Sequence, residues 1–397
     1  MRTVVTASRL WDGTRLVDEP VVVIEDGRIE RIGPRAESEI PAGARAEDFR
    51  GATLGPAFVD VHTHGAAGHD VMEATPEALA AIGRFQAEHG TGAYLATTVT
   101  AELDATLRSL EGLAKLLAHP PGEGEARALG IHLEGPFISH AKRGAHPPAY
   151  LLEAKISTFD RLFEAAEGKV RLMTLAPELP GAVELAAHAT GRGVRVSVGH
   201  SNATAAQTRA VIAAGAVSAT HTFNAMRPLD HREPGILGVV LTDEGLYAEM
   251  ICDGIHTAPL MAKLWWRAKG AGRAILITDA MSAAGMPDGE YQLGGQTVKL
   301  AAGRVTLPGD VLGGSVLTMD RAVANLMAFA GVGVEDALRA ATANPAAMTG
   351  LEEGAGSLRV GGAANLVAMD GAGGLVASFV NGHLRWGQSP PAVGLVF

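Results

Sequence analysis

The stretch Ala57-Phe58-Val59-Asp60-Val61-His62-Thr63-His64 decides how the chain is read. Its first five residues make a short, mostly apolar run of the kind that builds a strand covered on both faces. The run delivers two histidines at its carboxyl end. Side chains two positions apart on a strand share a face, so both imidazoles can reach one metal ion.

Beyond this stretch, β-type runs alternate with helical patterns, with strand ends near His62, Thr98, Glu134, Ala176, His200, Thr222, Asp253 and Asp279. Thr75-Pro76 opens a helix that Gly90 closes, and Thr257-Ala258-Pro259 opens another that Gly270 closes. Such alternation predicts a parallel sheet with helices outside it. An open doubly wound sheet has the same rhythm, but eight units in about 230 residues fit a (β/α)8 barrel better. The expected class is α/β, with the barrel over residues 53–349 and a β-hairpin insertion near 290–307 carrying turns at Gly294-Gly295 and Ala301-Ala302-Gly303. Residues 1–52 and 350–397 alternate in strand fashion around the turns Glu25-Asp26-Gly27-Arg28 and Asn381-Gly382. Each part is too small to stand alone, so the two termini are expected to build one small β-sandwich domain together.

The 397 residues are 47 % hydrophobic and 19 % charged, which excludes a disordered or fibrous chain. Thirty-three basic against 43 acidic side chains leave a net charge of -10, which predicts no nucleic-acid partner. The longest apolar stretch, around 322–334, falls short of the ~18 residues of a spanning helix, so no membrane association is expected. One cysteine, Cys252, cannot form an intramolecular disulfide, and Met1 to Trp11 lacks the pattern of a signal peptide. The sequence reads as that of a cytoplasmic protein.

In barrels of this kind the loops at the carboxyl ends of the strands converge on one mouth. The first predicted strand ends in His62 and His64, the third in Glu134, the fifth in His200, the sixth in His221 and the eighth in Asp279. Four histidines and two carboxylates at five strand ends form the N/O donor set that Zn(II), Fe(II) or a similar divalent ion prefers. A lone histidine would more simply be a hydrogen-bonded core or surface residue; six donors at strand ends of one barrel point to a metal centre.

The motifs run in an order that resembles the amidohydrolase superfamily and, within it, the branch that deacetylates N-acetylglucosamine 6-phosphate. They are His132-Leu133-Glu134-Gly135-Pro136-Phe137, Lys142-Arg143-Gly144-Ala145-His146, Gly199-His200-Ser201-Asn202-Ala203, His221-Thr222-Phe223-Asn224-Ala225-Met226, Arg232-Glu233-Pro234-Gly235, Asp253-Gly254-Ile255-His256, Thr278-Asp279-Ala280 and Leu312-Gly313-Gly314-Ser315. The resemblance implies a barrel of the metal-dependent hydrolase type and one or two divalent ions, Zn or Fe. Glu134, His200 and His221 would hold the principal ion, with a second beside His62, His64 and Asp279. It implies Asp279 as the group that moves the proton and His146 as the group that polarises the amide carbonyl. Asn224, Ala225, Arg232 and His256 would serve chiefly the phosphate, and Ala145, the Asp253–His256 segment and Leu312, Gly313 and Gly314 the sugar and acetyl groups. It also implies a homodimer, since some phosphate contacts, including that of Arg232, come from the neighbouring subunit. The partner expected is a small amino-sugar phosphate, deacetylated to glucosamine 6-phosphate and acetate.

Simpler readings stand beside these. Arg232 with Glu233 suits a solvated surface pair, and Leu312-Gly313-Gly314-Ser315 suits a turn before the helix from Thr318. His69, His89, His119, His140, His188, His231 and His383 read as surface or packing residues, Trp265-Trp266 as core and interface, and Cys252 as a buried small hydrophobe. Rival functions are a D-aminoacylase-like or dihydroorotase-like hydrolase on the same scaffold, and a non-catalytic barrel scaffold.

Overall fold

In the computed structural model, which describes residues 2–38, 41–351 and 355–387, the run that opens the reading is strand β1 (Phe58–Thr63), buried along its whole length. Seven further parallel strands follow in order around the sheet: β2 (Thr91–Thr98), β3 (Arg127–Glu134), β4 (Val170–Leu175), β5 (Arg195–Val198), β6 (Ala216–Ala219), β7 (Tyr247–Ile251) and β8 (Ala274–Ile277). The seam between β8 and β1 is joined just past the end of β8, where the Asp279 amide donates to His62 O at 2.8 Å and the His64 amide to Ala280 O at 2.7 Å. The barrel thus closes at the level where its candidate ligands sit.

Among the described residues ten α-helices pack outside: α1 (Pro76–Glu88), α2 (Leu103–Leu116), α3 (Ile156–Ala165), α4 (Ala182–Gly191), α5 (Ala205–Ala213), α6 (Gly235–Thr242), α7 (Pro259–Arg273), α8 (Met319–Ala330), α9 (Val334–Ala341) and α10 (Ala343–Thr349). Their ends follow the sequence signals. Thr75 caps α1 by accepting from the Ala78 amide, with Pro76 in the first turn. Gly90, at φ +82°, ends that turn where a Cβ would meet the Phe58 ring at 2.6 Å, so only glycine fits. In α7, Gly270 at φ +62° interrupts the helix where closure is expected. α1 buries Ala78, Ile82 and Ala87 against the sheet, and α7 buries Trp265 completely.

Both termini enter one mixed sheet. Its hydrogen-bonded path runs His383–Trp386, Leu375–Val380, Leu366–Met369, Arg45–Pro56, Arg2–Trp11, Pro20–Glu25 and Arg28–Pro34, with Leu16–Asp18 paired to Arg2–Trp11. The expected sandwich is a single sheet curled over its own core: Ile29 from one end of the path and Phe379 from the other share a cluster with Phe49, whose ring meets Phe379 edge-on at 5.9 Å. Strand Arg45–Pro56 runs through the 52/53 boundary and leads into β1. Residues 388–397, assigned above to the terminal domain, lie outside the described residues.

The expected hairpin is a four-stranded antiparallel meander, Gly289–Leu293, Gln296–Ala301, Arg304–Leu307 and Val311–Leu312, which reaches the barrel mouth. Among the described residues no helix is long and apolar enough to cross a membrane. Cys252 is buried and free.

Candidate metal centre and active site

The strand ends bring two groups of three donors together: His62, His64 and Asp279, and Glu134, His200 and His221. Within each group the donor atoms lie within 4.8 Å of one another, and all six side chains are buried. Glu134 joins the groups. Its Oε1 is 3.0 Å from His221 Nε2, 3.1 Å from His200 Nε2 and 3.3 Å from His62 Nε2, and its Oε2 is 3.3 Å from both His64 Nε2 and His146 Nε2. Asp279 Oδ1 lies 3.1 Å from His64 Nε2 and 3.5 Å from His62 Nε2. His200, His221 and Asp279 all take positive φ, at 45°, 27° and 51°. Left-handed backbone is costly for such residues, and here it turns side chains from the strand ends into one focus.

Partners of the outer ring nitrogens divide the histidines by role. His64 Nδ1 faces Thr97 O at 3.0 Å and His200 Nδ1 faces Lys142 O at 2.9 Å. A carbonyl oxygen only accepts, so each Nδ1 carries hydrogen and Nε2 is the atom each ring turns toward the centre, free to offer a lone pair to an ion that displaces any proton there. His146 is the reverse. The Thr100 amide donates to its Nδ1 at 3.2 Å, leaving hydrogen on Nε2, which faces Glu134. His200 Nε2 and His221 Nε2 stand 3.0 Å apart beside a carboxylate oxygen, an arrangement that calls for a cation between them. These donors fit a divalent ion.

The electrostatics agree. Burial pushes the Glu134 carboxyl upward, but the His62 and His200 rings outweigh it and hold it well below the ordinary range. Against the same burial, His62 and His64 bring Asp279 down to about 2. Burial lowers the His64 ring, yet Asp279 and Glu134 raise it to about 9, and His62 is raised well above its ordinary value by Glu134 and Asp279. His146 is lowered, by burial and by the His200 ring, which keeps it neutral.

A cavity of about 330 Å³ opens above this centre, within the range of small-molecule sites. Of the sequence-predicted residues, His64, Glu134, Ala145, His146, His200, His221, Asn224, Ala225, His256, Asp279, Leu312 and Gly314 line it. His62 lies beneath, fully buried, and Gly313 lies against Leu307 and Ala145, where an added Cβ would require the end of the Leu307 side chain to move. Asp253 is not in the wall: it accepts from His256 Nδ1 at 2.7 Å and from the amides of Ile255 and His256, and so aims the His256 ring. Asn224 Nδ2 and His256 Nε2 are buried and have no hydrogen-bond partner among the described residues. Arg232 is exposed and does not belong to the cavity wall of its own chain.

Sequence reading missed the supporting residues. Asp60 Oδ2 accepts from Thr278 Oγ1 at 2.5 Å and its Oδ1 from the His62 amide, clamping β1 to β8. Glu178 accepts from Ser201 Oγ and the Asn202 amide and ties down the loop after β5. Glu249, on β7, reaches His62. The available signal was a charged residue inside an otherwise apolar strand, at Asp60 and Glu249. Several of the remaining histidines are paired, His69 with Glu73, His89 with Asp320, His188 with Asp160 and His383 with Glu123.

The amidohydrolase-family profile matches residues 53–385. The chain is 39 % identical to an N-acetylgalactosamine-6-phosphate deacetylase of Escherichia coli O157:H7, across 93 % of this chain and 96 % of that one. It is 36 % identical to an N-acetylglucosamine-6-phosphate deacetylase of Vibrio furnissii, across 95 % and 94 %. A solved structure of N-acetyl-D-glucosamine-6-phosphate deacetylase from Mycobacterium smegmatis, a mutant in complex with N-acetyl-D-glucosamine-6-phosphate, superposes with a TM-score of 0.89 at 36 % identity and covers 97 % of this chain and 99 % of that chain.

Proposed function

The chain belongs to the amidohydrolase family, and we propose that it hydrolyses the N-acetyl group of N-acetyl-D-glucosamine 6-phosphate, giving D-glucosamine 6-phosphate and acetate. The observation that carries this reading is the inward-facing Nε2–H of His146 set against two donor triads that Glu134 of one joins to the other, beneath a cavity with unpaired Asn224 and His256 donors. Relatives named for that activity support the substrate.

Glu134, His200 and His221 would hold one divalent ion and His62, His64 and Asp279 a second, Zn or Fe by their N/O character. Such an ion supplies the acidity that makes water nucleophilic near neutral pH and draws charge from an amide carbonyl. Asp279, ionised at neutral pH, takes the proton of the attacking water as its oxygen bonds to the carbonyl carbon. The same carboxyl then gives that proton to the sugar nitrogen as the C–N bond breaks, because an amine leaves only when protonated. His146 donates its Nε2–H to the carbonyl oxygen as negative charge grows there. Asn224 Nδ2 and His256, the latter held by Asp253, hydrogen-bond the sugar phosphate.

Arg232 completes the phosphate site of a second copy of the chain in a homodimer; its exposure outside its own cavity supports this assignment, and its forked donors suit phosphate. The lone buried cysteine agrees with a reducing cytoplasm. A second reading has specific support: the relative at 39 % identity is named for N-acetylgalactosamine 6-phosphate, the 4-epimer.

The test is acetate release from N-acetylglucosamine 6-phosphate, its 4-epimer and the unphosphorylated sugar, before and after chelation. Fast release from a 6-phosphate, abolished by chelation and restored by added metal, is expected. Equal rates with and without the phosphate would overturn the substrate assignment.

A further inference from the structure

Glu249 is the one charged residue of β7 and is completely buried. An unpaired carboxylate in that position is strongly disfavoured, and among the described residues no lysine or arginine pairs with it. Its Oε2 lies 3.4 Å from His62 Nδ1 and accepts from the His221 backbone amide at 3.3 Å, while Oε1 has no hydrogen-bond partner among the described residues. Satisfying one backbone amide needs no charge. The ring of His62 supplies the reason for it.

His62 differs from the other inward-facing rings. His64 and His200 are oriented by backbone carbonyls, whereas His62 has a carboxylate behind it and, through Nε2, Glu134 and Asp279 in front. We infer that Glu249 is the positioning residue of His62: it accepts the Nδ1 hydrogen and turns the Nε2 lone pair to the group formed with His64 and Asp279. A carboxylate partner also makes the ring a stronger donor than a carbonyl would. Ion binding on the His62 side therefore depends on a residue that touches neither ion nor substrate. This inference rests on the two-ion reading above.

The full chain is compared with Glu249→Gln, which keeps an acceptor but loses the charge, and with Glu249→Leu, His62→Gln and the double variant Glu249→Gln/His62→Gln. In the metal-free chain, ¹⁵N-histidine NMR of the wild type should give a hydrogen-bonded His62 Nδ1–H resonance, shifted upfield in Glu249→Gln and lost in Glu249→Leu. In zinc competition with a chelator, Glu249→Gln should weaken the second ion about 10–100-fold and the first by less than about 3-fold. In the His62→Gln background Glu249→Gln should add nothing. A resonance indifferent to Glu249, equal weakening of both ions, or an additive effect without His62 would each overturn the inference. A wild-type chain that takes up a single ion overturns the two-ion reading and the ion-binding consequence drawn here, and the metal-free resonance then decides the orientation of His62 by itself.

Discussion

The backbone amide of Thr100 points at His146 Nδ1 from 3.2 Å, with Thr100 Oγ1 at 2.8 Å beside it. An amide can only donate, so His146 presents Nε2–H inward and cannot ligate an ion through that atom without losing this bond. His146→Leu should therefore lower kcat by about 10²–10³ with metal content unchanged. Metal analysis of the purified variant checks it; loss of an ion together with activity would make His146 a ligand instead.

Asp279 stands at the seam between β8 and β1 and is ionised at neutral pH. Asp279→Asn keeps the shape and removes the proton acceptor. Its kcat should fall about 10²–10⁴-fold, with KM for the phosphorylated sugar little changed. Steady-state kinetics decide the point, and an unimpaired variant would remove the proton-transfer role.

Arg232→Ala should raise KM for the 6-phosphate and leave turnover of the unphosphorylated sugar alone. Because the arginine is assigned to the other subunit's site, mixing inactive Asp279→Asn with Arg232→Ala should restore activity: hybrid dimers hold one intact site, giving about a quarter of the wild-type rate after random exchange. No recovery after refolding the mixture would place Arg232 outside the site.

The His64 ring, raised to about 9 in the metal-free chain by Asp279 and Glu134, links stability to pH. A folded-state value above the unfolded ~6.5 means its stabilisation is complete below pH 6.5 and is lost as pH rises through about 9. His62 is shifted in the same direction. The chelated protein should then melt at falling temperature from pH 6.5 to 9, while the metal-loaded protein shows a flatter profile and releases protons on metal uptake at pH 7. Calorimetry in buffers of different ionisation heat measures the protons; a chelated protein equally stable at both ends would contradict the linkage.

The sequence by itself carried the barrel and the ligand types. Strand periodicity at Ala57–Val61, capping at Thr75-Pro76 and the φ-positive break at Gly270 are local properties, set by side-chain alternation, a hydroxyl acceptor and the lack of a Cβ. Histidines and carboxylates at strand ends follow from the same alternation, because a parallel barrel sends all its strand ends to one mouth. Tertiary structure alone decided what each donor does. That His64 and His200 turn Nε2 to an ion while His146 offers a proton depends on Thr97 O, Lys142 O and the Thr100 amide, backbone groups whose direction no motif reveals. The curled terminal sheet, the clamp of Asp60 on Thr278 and the carboxylate of Glu249 behind His62 join residues 187 to 330 positions apart. Partners so distant in sequence are chosen by packing in three dimensions, whereas local rules see only neighbours along the chain.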